Sequence, residues 1–203
     1  LTTTTLNAFG ALCVGLTSSS SSFNITGANL PAGNVTVGPL AGYSFSTTAA
    51  GTYTSTLSLS QPGGTYSQTI YVKFTPVAAA TYNGNIPVTV GATNSNVAAS
   101  GTGVNTVPFM TTVGVVSGTI TPYSADLSGA ITAAGCSPVS SYGIEYSTSF
   151  GFPNGTGTQI PAISNVAGQY IVTLNGLAPN TTYYYKAYGI NAGGTGYGFQ
   201  LSF

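Results

Sequence analysis

The chain has 203 residues, 42% of them hydrophobic and 11% aromatic, which is enough to fill cores in two domains of about 100 residues each. Only four side chains carry a formal charge (Lys73, Lys186, Asp126 and Glu145), and histidine and tryptophan are absent. Against about 25% charged residues in an ordinary soluble domain, 2% here excludes the clustered Lys and Arg that nucleic acid or an anionic membrane surface would need.

No apolar run approaches the ~20 residues of a membrane helix, so membrane insertion is not expected. Leu1–Leu6 lacks the basic and apolar regions of a signal peptide, and the sequence reads as a mature or excised segment. Solubility without net charge must come from hydroxyls, glycans or ordered assembly.

In chain order, β-branched and aromatic runs broken by Gly, Pro and Asn predict short strands and almost no helix. The first half gives strands near residues 6–14, 23–27, 34–37, 43–46, 53–60, 67–75 and 86–90, with a closing stretch at 96–101. Alternation is clearest at 53–60 and in Thr69–Phe74, where Ile70, Val72 and Phe74 share the inward face. Gln61-Pro62-Gly63-Gly64 reads as a turn. A boundary falls near Gly101–Thr106, and the pattern restarts at 108–116, 125–132, 139–147, 157–163, 170–174, 182–190 and 196–203. The expected fold class is all-β: two immunoglobulin-like sandwiches in tandem, residues 1–104 and 105–203.

Leu174-Asn175-Gly176-Leu177-Ala178-Pro179-Asn180-Thr181-Thr182-Tyr183, continued by Tyr184-Tyr185-Lys186-Ala187-Tyr188 and Asn191, resembles the E–F corner and F strand of fibronectin type III domains. Leu177, Pro179, Thr181 and Tyr183 match that pattern in register. The resemblance implies that Tyr183 is a tyrosine-corner residue whose hydroxyl caps a backbone group upstream. Many members have a strand-B tryptophan; here Leu127 or Ile131 must fill that volume. The first half is similar to Ig-like repeats of large secreted surface proteins of Bacteroidota-type bacteria, on Phe23–Leu30, Tyr71–Pro76, Tyr82–Ile86 and Val97–Gly103. This second resemblance implies an extracellular, cell-surface location.

The inventory for chemistry is short. Without histidine the commonest general base is missing, and the one carboxylate pair, Asp126 and Glu145, falls on strands B and C, in different sheets. Neither an enzyme nor a cofactor or metal site is expected. Glu145 and Lys186 lie on neighbouring strands C and F and are expected to form an exposed cross-strand ion pair; Asp126 reads as a solvated strand-edge residue. Cys13 and Cys136 admit three states: an interdomain disulfide, two separate buried thiols, or an intermolecular link. Asn-x-Ser/Thr sequons at Asn24, Asn34, Asn154 and Asn180 are candidate glycosylation sites, with Asn154 in an expected exposed loop. Tyr183, Tyr184, Tyr185, Tyr188 and Tyr197 read as packing within the sheet, the other reading being a platform for sugar rings.

The expected function is structural: a subunit or repeat of a bacterial surface filament or long adhesin, whose partners are copies of itself or neighbouring repeats. Leu1, Thr2, Thr3, Thr4, Thr5 and Leu6 form a candidate donor strand for pairing in a neighbour. The alternative is a carbohydrate-binding or spacer module of a secreted enzyme, with surface glycans as partners.

Overall fold

The computed structural model describes residues Leu1–Phe203 and divides them into two compact units, Leu1–Val104 and Asn105–Phe203. All regular structure is β.

The first unit contains β1 (Thr2–Thr3), β2 (Ala11–Cys13), β3 (Ser21–Leu30), β4 (Gly33–Val37), β5 (Tyr43–Ser46), β6 (Leu57–Gln61), β7 (Gly64–Phe74), β8 (Gly84–Val90), β9 (Thr93–Ala99) and β10 (Thr102–Val104). One antiparallel sheet has the order β1-β3-β7-β5 and the other β6-β4-β8-β9, while β2 pairs in parallel with β10. Residues two apart supply the core: Phe23 and Ile25, Val35 and Val37, Ile70, Val72 and Phe74, Ile86, Val88 and Val90. Their partners in the alternation carry the hydroxyls and amides outward. Gly91, with φ +55°, opens the two-residue turn between β8 and β9, where a positive φ favours glycine.

Two expected strands are shorter than the sequence pattern suggested, for one reason: the chain changes sheets inside them. The expected strand at 6–14 is regular only at Ala11–Cys13. Thr2–Thr3 pairs with β3, the backbone bends at Gly10 (φ +69°), and β2 then aligns with β10. At 53–60, Thr54 exchanges two backbone hydrogen bonds with Phe45 beside β5, and only Leu57–Gln61 joins β4 in the opposite sheet.

The second unit contains β11 (Phe109–Val115), β12 (Ser124–Ala133), β13 (Ser141–Ser147), β14 (Thr158–Pro161), β15 (Gln169–Asn175), β16 (Tyr184–Asn191), β17 (Gly194–Tyr197) and β18 (Leu201–Ser202). Its sheets run β11-β12-β15 and β14-β13-β16-β17, with β18 also pairing β16. This is a two-sheet antiparallel β-sandwich. Leu127, Ile144, Leu174 and Tyr185 are among its wholly buried inward residues, whereas Ile131 is only partly buried.

Each unit has a tyrosine that ties the approach to a strand back to the preceding loop. The Tyr183 hydroxyl accepts a hydrogen bond from Ala178 N (2.9 Å), and Tyr183 stacks on Phe203 at 5.6 Å. In the first unit the Tyr82 hydroxyl accepts from Val77 N (3.0 Å) and Ala78 N (2.9 Å), while Tyr43 donates to Tyr82 O (2.7 Å). The segment Pro76–Tyr82 ends in Thr81-Tyr82 much as Pro179–Tyr183 ends in Thr182-Tyr183.

Replacing Tyr82 by Phe leaves two loop N–H groups without their acceptor. The expected loss is about 1–2 kcal/mol of first-unit stability, read by urea unfolding, and Tyr183→Phe, which strands the one N–H of Ala178, should lower second-unit stability by about 1 kcal/mol. An unchanged midpoint for both would show that the hydroxyls do not fasten these loops.

Candidate functional site

The most unusual group in the molecule is a carboxylate with no exposure at all. Glu145 lies on β13, whose neighbouring residues Ile144 and Tyr146 point into the core, so Glu145 points to the outer face of its sheet. The register sets Gln159 of β14 on one side of it and Lys186 of β16 on the other. The loop between β13 and β14 then covers this face.

Glu145 accepts hydrogen bonds from Gly157 N (2.8 Å), Gly155 N (3.1 Å), Gln159 Nε2 (2.9 Å) and the Tyr197 hydroxyl (2.7 Å). Gly157 has no room for a side chain, since a Cβ there would lie 2.6 Å from Tyr146 O and 3.0 Å from Glu145 Cγ. Burial pushes the Glu145 carboxyl up, but hydrogen bonds from Gln159, Tyr197, Gly157 and Gly155 outweigh it and hold the group below the usual 4.5. Tyr197 moves the other way, to about 12, through burial and its bond to the Glu145 carboxylate.

The expected ion pair is corrected here. Glu145 and Lys186 are cross-strand neighbours, but their polar ends go to different partners. Lys186 Nζ donates to Phe152 O (2.7 Å) and Asn154 Oδ1 (2.9 Å), and sits 4.4 Å from the centre of the Phe152 ring. Both residues therefore hold the same loop, and Glu145 is buried rather than exposed. The signal available in the sequence was Asn154-Gly155-Thr156-Gly157, a run able to turn its amides toward one acceptor.

Other candidate residues are placed as follows. Asp126 lies on β12, the central strand of its sheet and not an edge, and accepts from Thr173 Oγ1 across the strand pair (2.6 Å). Asp126 and Glu145 face outward from different sheets, so the sandwich separates them. Tyr183, Tyr185 and Tyr188 are buried, while Tyr184 and Tyr197 are half-buried, so the five rings form no open platform. Asn24, Asn34, Asn154 and Asn180 are all exposed. Cys13 ends β2 and Cys136 lies between β12 and β13; both are disulfide-bonded.

Several concave surfaces lie on the second unit. A groove of about 900 Å³ lies at the β14 and β15 edges, lined by Ile160, Ile163, Val166 and Ile171, among others, with no charged side chain. A smaller hollow of about 310 Å³ is bordered by Asn154, Lys186, Tyr197, Phe199 and Gln200.

No protein-family model matches the chain, and no curated protein matches it. Among solved structures it is similar to the FN1–FN3 domains of chicken CNTN1 (12% identity, TM-score 0.36, 98% of this chain and 65% of that one). It is also similar to a three-domain segment of titin (14% identity, TM-score 0.37, 95% of this chain and 60% of that one). In both cases the chain spans less than two thirds of the matched chain.

Glu145→Ala strands four donors and a lysine-held loop over an empty site, and is expected to lower second-unit stability by about 2–4 kcal/mol. The folded pKa of Glu145 is depressed, so its contribution is complete above the ordinary value and lost as pH falls through the lower folded one. Hydrogen-exchange protection of the Gly155 and Gly157 amides, corrected for intrinsic rate, should drop in that acid window, and Glu145→Gln should lack the step. Separately, a maleimide titration of the denatured, unreduced chain should find no free thiol, and two after reduction.

Proposed function

We propose that the chain is a structural module of an extracellular bacterial surface filament or long adhesin, assembled by contacts between copies of itself or neighbouring repeats. The observation that carries this reading is an uncharged, apolar sheet edge. The groove beside β14 and β15 has Ile163 fully exposed and Val166 and Ile171 largely so. Edges of soluble sandwiches are ordinarily blunted with lysine or other charges to prevent pairing. Here that protection is missing, and apolar patches of this kind mark contact surfaces.

Residues Leu1–Leu6 supply a second contact. Within one chain Thr2 and Thr3 pair with Thr26 and Ile25, Thr4 N donates to Asn24 O, and Leu1 and Leu6 pack on the first core. A pairing this short can be exchanged with a neighbour at little cost, because the same contacts form in either arrangement. Strand exchange by Leu1–Leu6 would turn a folded subunit into a link of a polymer. Glycans on the exposed sequons Asn24, Asn34 and Asn180 would keep the remaining uncharged surface dispersed.

One observation favours the second reading, a carbohydrate-binding module. Phe199, 93% exposed, stands beside the hollow that Asn154, Lys186 and Gln200 border, and a sugar ring could stack there.

Electron microscopy of the full chain at high concentration, with and without residues 1–6, separates these readings. Filaments of regular axial repeat that vanish on deletion are expected. Filaments that survive deletion would remove the strand-exchange mechanism and leave the edge groove as the contact. Monomers under all conditions would overturn self-assembly, and glycan arrays comparing wild type with Phe199→Ala would then test the second reading.

A further inference from the structure

A chain that has discarded almost every charge directs two of its four, from strands β13 and β16, at one loop of the second unit. Glu145 holds Gly155 and Gly157 by their amides, which fixes the residue between Pro153 and Gly155, namely Asn154. Lys186 approaches the same residue from β16, with Nζ 2.9 Å from Asn154 Oδ1, 2.7 Å from Phe152 O and beneath the Phe152 ring. Phe152 is itself buried. The result is a primary amine held against a carboxamide by three contacts.

A clamp alone does not call for this choice of residues. Elsewhere the chain fastens loops with hydroxyls, as at Thr121, Ser137 and Tyr82, and a lysine here must give up part of its hydration. An amine beside a carboxamide offers a reaction that a hydroxyl and an amide do not.

We propose that Lys186 and Asn154 become joined by an intramolecular isopeptide bond, formed without any co-reactant. The ammonium gives one proton to solvent, and the free amine adds to Asn154 Cγ. A turn of the Asn154 carboxamide about its terminal torsion, which is soft, presents the carbonyl face to Nζ. In the adduct Nζ passes a second proton to Nδ2, the Cγ–Nδ2 bond breaks, Nδ2 leaves as ammonia, and ammonia takes up the proton released at the start. One amide replaces another, so nothing is oxidised or reduced. Holding the two groups in contact supplies the acceleration, since oriented intramolecular reactions behave as if the reactants were far more concentrated than in solution.

The bond would tie the β13–β14 loop to the central strand β16 across 32 residues of sequence. It would restrict the unfolded chain as other cross-links do. It also excludes a glycan at Asn154, because the nitrogen that would carry the sugar is the one that leaves. The proposal does not depend on filament assembly.

The test uses the full chain from a host without N-glycosylation, denatured and reduced. Its mass is expected to fall below that of the sequence by one ammonia. Lys73 and Lys186 are the only tryptic sites, and trypsin should cut after Lys73 alone, because an acylated lysine is not recognised. Lys186→Arg should restore both the full mass and cleavage at 186. Asn154→Asp should form the same bond with loss of water in place of ammonia. Full mass with cleavage at both lysines would overturn the proposal. So would an ammonia loss that persists in Lys186→Arg, which would instead mark a succinimide at Asn154-Gly155.

Discussion

Everything in either unit rests on one constraint: two sheets about 10 Å apart leave no space for water between them. Each strand must therefore deliver apolar side chains at every second position, and a single slip of register would turn that set outward. The alternation is strict at the C-terminal end of β7, where Ile70, Val72 and Phe74 are wholly buried. Corners are where the constraint is hardest to meet, since a chain leaving one sheet for the other exposes backbone amides. Tyr82 and Tyr183 solve it alike, placing a ring on the core and a hydroxyl under the loop amides.

How much of this could be read in advance depends on the range of the interaction. Alternation is local, so the all-β class and most strands were legible, and the corner at Tyr183 was legible because spacing and chemistry coincide over a few residues. Strand ends at 6–14 and 53–60 were not, because sheet switching is decided by distant partners: β10 for the first and β4 for the second. Tyr82 was spelled much like Tyr183 and went unread. The Glu145–Lys186 neighbourhood is the most instructive case. Topology gave their register correctly, yet the polar partners come from a loop whose path over the sheet leaves no periodic trace.

The charged residues that remain are positional rather than solubilising. Lys73 sits 4.4 Å over the Tyr53 ring, Asp126 takes the Thr173 hydroxyl, and Glu145 and Lys186 hold one loop. Each therefore fixes a specific contact that Ser, Thr or Asn would make more weakly, since hydrogen bonds to an ionised group are roughly twice as strong as neutral ones. Buried Glu145 is the extreme case: four donors compensate the desolvation of its charge, and losing even one leaves part of it uncompensated.

From this follows a point about the exterior. If none of the four charges serves dispersal, long-range repulsion between copies is absent, and the balance between separate and associated chains falls to short-range forces. Hydroxyl-rich faces bind water and are close to neutral in that balance. The β14 and β15 edges are not, because Ile163, Val166 and Ile171 gain by leaving water. If copies associate as proposed, those edges would supply the attraction, and an attraction that does not rest on charge is not weakened when salt screens charge.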